Sequence, residues 1–161
     1  MDIPELGPDI TFPRLGPHFE DEEFAFEAKH AAMGPHIVPR WGWDDAFQRD
    51  LHLKRYSQKP FSEIRQGANR LGTLSFQTFP DHIRFGEFYL FPKFQRQGIG
   101  SRVLKHCLLI ADELRLPVRL EHLHWNPVGA LYRRNGFEEI EQSDIHCFME
   151  RPVPKRTPSG N

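Results

Sequence analysis

Gln95-Arg96-Gln97-Gly98-Ile99-Gly100 joins a strand-like run to a long amphipathic helix, and the reading of the whole chain turns on it. Before it, Ile83, Phe85, Tyr89 and Phe91 alternate with other residues at a period of two, the pattern of a strand. After it, Ile99, Val103, Cys107, Ile110, Ala111 and Leu114 fall on one face at helical spacing. Two glycines at the opening of a helix normally weaken it, by roughly 0.5–1 kcal/mol each relative to alanine. A bound phosphate anion would justify them, because small residues let the backbone approach while free amides and the helix dipole point at the charge. Val103 stands where a third glycine would complete a dinucleotide-binding fingerprint, and no Gly-Lys-Ser/Thr follows, so neither common nucleotide loop is present.

Composition narrows the rest. At 161 residues the chain is long enough to bury a core without staples, and one domain spanning 1–161 is expected. Lys plus Arg number 21 against 22 Asp plus Glu, which speaks against a general nucleic-acid or membrane-surface role. A local basic patch at Arg96, Arg102 and Lys105 suits phosphate groups. There is no long apolar stretch and no signal-peptide pattern at Met1–Gly7, and a cytoplasmic location is expected. The two cysteines, Cys107 and Cys147, lack metal spacing and read as small buried hydrophobes.

Turn and cap signals divide the chain further. A short strand is expected at Ile10–Arg14, then a helix over Glu20–Met33 stopped by Gly34-Pro35. Trp41-Gly42-Trp43 makes a joint, and Asp44 caps a second helix to about Tyr56. Phe61–Gln66 and Leu71–Phe79 pair as a hairpin, followed by the strand His82–Phe91. The glycine-led helix runs to about Arg115, and a strand covers Val118–Trp125. Asn126 and Pro127 open a last helix closed by Asn135-Gly136. Phe137–Glu141 and Ile145–Arg151 form a final strand pair, and residues 152–161 have the composition of a loose tail. That order, β–α–α–β–β–β–α–β–α–β–β, is an α/β chain with a mixed sheet and helices on both faces.

A second element sharpens the first. About thirty residues on comes Asn126-Pro127-Val128-Gly129-Ala130-Leu131-Tyr132-Arg133-Arg134-Asn135-Gly136-Phe137. Together the two resemble the GCN5-related N-acetyltransferases, the GNAT family, best over about residues 60–151. The resemblance implies a central, mostly antiparallel sheet with splayed strands, and acetyl-CoA as co-substrate with no metal. It implies that Gln97, Gly98, Ile99, Gly100 and Ser101 cradle the pyrophosphate through their amides. Gln95, Arg96 and Arg102 would contribute side chains, and Asn126 either a CoA contact or only a helix cap. Backbone near Tyr89, Leu90 and Phe91 would pair with the pantetheine arm, with an oxyanion donor at or near the Leu90 amide. Tyr132 would protonate the departing sulfur, or else simply pack on its helix.

The proton acceptor is less defined. Glu87 shares a strand face with Phe85, Tyr89 and Phe91 on this reading, which would desolvate it and raise its pKa. His122 and His124 are further candidates, and the resemblance implies that the last strand pair, which carries His146, borders the acceptor site and makes His146 a binding candidate. Trp41, Trp43, Asp44 and Tyr56 would make an aromatic and acidic wall for a cationic amine, or a plain helix joint. The acceptor is expected to be a small-molecule or peptide amine, acetylated directly in a ternary complex, with no nucleic-acid or membrane partner and with room for a homodimer by fold analogy. Two other readings stay open, a non-catalytic CoA-binding sensor or partner module and an enzyme using a different acyl-CoA.

Overall fold

The computed structural model describes residues 2–155, so Met1 and the expected tail beyond Lys155 lie outside the described residues. In chain order the elements are β1 (Ile10–Thr11), α1 (Phe19–Trp41), α2 (Asp45–Gln58), β2 (Phe61–Gln66), β3 (Asn69–Thr78), β4 (Ile83–Leu90), α3 (Ile99–Leu114), β5 (Val118–Leu123), α4 (Gly129–Arg134), β6 (Glu138–Gln142) and β7 (His146–Arg151). The strands form one seven-stranded sheet in the order β1-β2-β3-β4-β5-β7-β6. Every neighbouring pair is antiparallel except β4 and β5, which run parallel across the α3 crossover. The expected α/β class, element order and mixed sheet are all present.

Helices cover both faces. Ile64 joins the large core with Val103, Leu104 and Cys107 of α3. Phe61, three residues earlier on the same strand and therefore on the opposite face, packs with Phe24 and Ala25 of α1. Both cysteines are buried, as expected.

The first helix runs further than its sequence predicts. It passes through Gly34, Pro35 and Pro39 and closes only at Gly42, whose N–H bonds the Val38 carbonyl at 2.9 Å. A proline inside a helix removes one hydrogen bond and costs about 3 kcal/mol or more in isolation. Distant partners offset that here. Ile37 is buried, the Trp125 indole donates to the His36 carbonyl at 2.7 Å, and the Arg40 guanidinium lies 3.8 Å over the Trp125 ring. Regular α4 likewise begins at Gly129 rather than Pro127, after a turn in which the Ala130 N–H bonds the Pro127 carbonyl.

The feature that positions the site is in β4. Its parallel pairing with β5 covers only Ile83↔Val118 and Arg84↔Arg119, beyond which the strands part. On its other edge β4 carries a bulge, because Thr73 pairs Tyr89 while Ser75 pairs Gly86. One extra residue reverses the inward–outward alternation from that point on. Phe85 and Phe88 consequently meet on the α3 side, with ring centroids 5.2 Å apart, while Glu87 turns to the other face. Glu87 adopts φ 46, and the Thr73 hydroxyl holds its carbonyl at 2.9 Å.

Past the bulge β3 and β4 approach closely at Gly72, where an added Cβ would stand 1.9 Å from the Tyr89 carbonyl oxygen. Overpacking a well-packed interior costs typically 1–3 kcal/mol, and backbone on both sides leaves no flexible atom to give way here. Gly72→Ala is therefore expected to lose at least about 3 kcal/mol in urea denaturation. A loss under about 1 kcal/mol would mean that the two strands are not this close.

Candidate functional site

Where β4 and β5 part, a slot opens in the sheet. The Phe91 N–H bonds the Leu71 carbonyl at 3.0 Å, so the flanking Leu90↔Gly72 pair is of the non-hydrogen-bonded kind. The Leu90 N–H and C=O accordingly point away from β3, into the slot. Gln95 Nε2 donates to that Leu90 carbonyl at 2.8 Å, and the Leu90 N–H has no acceptor among the described residues. Phe91 heads a single 3₁₀ turn, Pro92–Phe94, that carries the chain from the slot to α3.

The start of α3 is a cluster of unused donors. Gly98 sits at φ 80, a left-handed conformation suited to glycine, and the helix has no side-chain cap. The first bond of the turn is the Arg102 N–H to the Gly98 carbonyl at 3.1 Å. The amides of Gly98, Ile99, Gly100 and Ser101 thus have no acceptor among the described residues. An anion there would satisfy them and meet the positive end of the helix. The neighbouring side chains have local duties instead. Gln97 Nε2 bonds the Lys93 carbonyl at 2.8 Å, Arg102 lies 3.7 Å from Asp9, and Arg96 is exposed in a left-handed turn of φ 62.

Tyr132 is buried on α4, its ring edge-on to Phe137 at 5.5 Å and 6.1 Å from the His122 ring. Its hydroxyl bonds none of the described residues, and burial pushes its pKa well up, so the phenol stays protonated. His122 Nδ1 lies 2.8 Å from the Leu123 carbonyl, which only accepts, so that nitrogen carries the proton. His122 Nε2 is then a buried acceptor without a donor, and burial lowers its pKa so the ring is neutral. The Asn126 side chain is fully engaged, Oδ1 by the Val128 N–H at 3.1 Å and Nδ2 by Met33 Sδ at 3.9 Å. It makes a side-chain turn ahead of α4 rather than the expected cap, because regular α4 is headed by Val128, which has no side-chain cap bond.

On the α1–α2 side of the sheet the slot opens into a cavity of about 880 Å³. Lys29, Met33, Ile37 and Trp41, one helical turn apart, line it from α1, while Gln48, Leu51 and Arg55 line it from α2. Glu87, Tyr89, His122 and His146 line it from the sheet. Trp41 and Asp44 reach this wall as expected. Trp43 does not, because its indole stacks 3.9 Å from His30 and bonds Asp45. Tyr56 is likewise withdrawn, its hydroxyl donating to the Gly16 carbonyl. His124 bonds the Ser143 carbonyl outside the cavity, whereas His146 keeps its place on the rim.

Glu87 departs furthest from expectation. Desolvation does push its pKa up, but Lys59 at 2.9 Å and the Arg55 and Lys29 charges outweigh it, so the net direction is down. It is an ionised carboxylate, and the Tyr89 hydroxyl donates to its second oxygen at 3.1 Å. The bulge also places it on the face opposite Phe85, which alternation alone could not reveal. Lys29, Arg55 and Lys59 were not singled out by sequence. The available signal was Lys29 itself, a charge within the helical face of Ala25, Phe26 and Met33.

No group of three or more His, Cys, Asp or Glu among the described residues is arranged to hold a metal. No described helix is long and apolar enough to cross a membrane.

Residues 63–139 match the family model of the acetyltransferase (GNAT) domain. Among solved structures, the PaiA N-acetyltransferase of Thermoplasma acidophilum in complex with coenzyme A is similar at TM-score 0.71 and 17% identity, over 89% of this chain and 99% of that one. The ribosomal-protein-S18-alanine N-acetyltransferase of Escherichia coli gives TM-score 0.65 and 18% identity, over 94% and 99%. A GNAT family acetyltransferase from Elizabethkingia anophelis with acetyl-CoA bound gives 0.63 and 13%, over 91% and 99%. At these identities the likeness is one of fold. A search of curated protein sequences returns no match.

Removing one partner of a buried ion pair leaves an uncompensated charge, so Glu87→Gln is expected to cost roughly 3 kcal/mol at pH 7. The Glu87 pKa is lower in the folded chain than the 4.5 of an ordinary glutamate. Its stabilisation is therefore present above the unfolded value and lost as pH falls through the folded one. Urea melts of both proteins from neutral to acid pH should show the penalty shrinking, and a pH-independent penalty would contradict the assignment.

Proposed function

We propose that this chain, whose residues 63–139 match the acetyltransferase (GNAT) domain model, transfers an acetyl group from acetyl-CoA to the primary amine of a small molecule or peptide, acting as a single acyltransferase domain. The observation that carries this reading is the uncapped start of α3 beside the parted strands. Four unused amides lie beside Leu90, whose N–H faces the slot from β4, while β5 brings the neutral His122 imidazole to it, with the protonated Tyr132 ring 6.1 Å from that imidazole.

In this reading the pyrophosphate rests on the amides from Gly98 to Ser101, near the Arg96 and Arg102 charges. The pantetheine arm lies along β4, and the thioester carbonyl accepts from the Leu90 N–H. A pre-placed donor of that kind is worth about 2.7–4 kcal/mol of barrier. The amine enters from the α1–α2 cavity. Glu87, held ionised, offers it a counter-charge, and His122 Nε2 takes the proton that the amine must lose. A carboxylate with a lowered pKa is too weak a base for an ammonium of pKa about 10, which is why the role passes to the imidazole. The amine nitrogen bonds to the carbonyl carbon, the C–S bond breaks, the thiolate takes a proton from Tyr132, and the second proton that the nitrogen sheds on becoming an amide restores the phenol.

Transfer is direct. Burial pushes the Cys107 thiol up to about 12 and raises Cys147 as well, so neither provides a thiolate to carry the acetyl group.

Thiol release from acetyl-CoA with a panel of amines tests the activity, and release no faster than hydrolysis across the panel would refute it. Tyr132→Phe should lower kcat about 100-fold, the usual scale of a lost proton donor, with the Kd for CoA little changed. Unchanged kcat would make Tyr132 a packing residue.

A further inference from the structure

The inner end of the cavity carries more positive charge than the described residues answer, because Lys29, Arg55 and Lys59 share the single carboxylate of Glu87. Four buried side-chain atoms among the described residues lack a hydrogen-bond partner, and three of them, Lys29 Nζ, Gln48 Oε1 and His122 Nε2, belong to residues lining this cavity. Lys29 is only 3% exposed. A buried ammonium without an acceptor is among the costliest arrangements a fold can hold, and it persists where something outside the chain compensates it.

Arg55, on the facing helix and lining the same cavity, makes no ion pair or side-chain hydrogen bond among the described residues either. The one acid at this end, Glu87, is already used, one oxygen by Lys59 Nζ and the other by the Tyr89 hydroxyl. The remaining lining acids, Asp44, Glu121 and Glu141, are exposed. Asp44 is occupied as the cap of α2, accepting from the Phe47 N–H at 3.1 Å. Lys29 and Arg55 therefore feel the Glu87 charge at a distance but find no free acceptor among the described residues. Burial and the Arg55 charge hold the Lys29 amine down at about 8, so each cation feels the other.

We propose that the acceptor amine also carries an oxyanion, a carboxylate or its phosphate or sulfonate counterpart, and that this group docks on Lys29 and Arg55. The inference deepens the acetyltransferase reading and rests on it. An oxyanion supplies the acceptors that the ammonium and the guanidinium fork both lack. It leaves the amine of the same small molecule beside Glu87, where the cavity meets the slot. The site then has the alternating charges that a zwitterion requires, and it disfavours polyamines, whose second charge would meet Lys29.

The test pairs each amine with a partner in which methyl replaces the carboxylate. Glycine is set against ethylamine, β-alanine against propylamine and 4-aminobutyrate against butylamine, with L-amino acids and spermidine alongside. For at least one pair kcat/KM should favour the anionic member tenfold or more, with spermidine poorer still. Lys29→Met and Arg55→Gln should each erase that preference while leaving turnover of the neutral amine and the Kd for CoA near wild type. Lys29→Met should melt no lower than wild type, since it removes an unpaired buried charge, and Arg55→Gln, at a half-exposed site, gives a second reading if it does.

A parallel titration reads the anion site without turnover. Protein saturated with CoA should bind N-acetyl-β-alanine at least tenfold tighter than N-propylacetamide, and lose the difference in both variants. Equal preference within every pair, preference for spermidine, or a preference that survives both variants would overturn the inference while leaving acetyl transfer intact. Absent turnover with retained discrimination in the titration would instead sink the acetyltransferase reading and leave the anion site standing. Absence of binding by either acetamide overturns the anion site.

Discussion

The structure depends on a pairing that stops early. β4 and β5 share only two residue pairs before they part, and the slot that the Leu90 N–H faces is a consequence of that parting. A fully zipped parallel pair would use the Leu90 N–H in the ladder and would close the passage between the two faces of the sheet. The bulge in β4 keeps that edge open while the other edge stays paired to β3. Holding a glutamate at φ 46 costs on the order of 1–3 kcal/mol, and such strain persists only where the surroundings over-determine it. The Thr73 hydroxyl on its carbonyl and the Lys59–Glu87 pair on its side chain supply that determination.

The same bulge divides the labour between the faces. Phe85, Phe88 and Leu90 serve the core under α3, whereas Glu87 and Tyr89 serve the cavity under α1 and α2. Free donors collect at the α3 end of the slot and free cations at the inner end of the cavity. Two neutral groups, the His122 imidazole and the Tyr132 phenol, lie 6.1 Å apart, ring to ring, and His122 lines the cavity. Burial or a partner fixes the charge state of each of these groups: Glu87 ionised, His122 and Tyr132 neutral.

Much of the frame was legible because it is written locally. Phe61–Gln66 is a strand with the expected limits, Asp44 caps α2 through the Phe47 N–H, and the Gly98 turn opens α3 as its glycines demand. What stayed hidden depends on residues far apart in sequence. The last two turns of α1 survive two prolines because Trp125, 89 residues away, takes the His36 carbonyl. Period-two alternation puts Glu87 on the wrong face because it carries no mark of an inserted residue. Its charge state was misjudged because the opposing cations come from α1 and from the end of α2. Trp43 has the composition of a pocket wall, yet His30 claims its face.

The account stands or falls on where a coenzyme A molecule would lie in that slot. A crystal structure of the protein with CoA measures it directly. The account predicts the pyrophosphate within hydrogen-bond distance of the Gly98–Ser101 amides and the sulfur within reach of the Tyr132 hydroxyl. A pyrophosphate seated elsewhere, or a sulfur turned away from that ring, would contradict it.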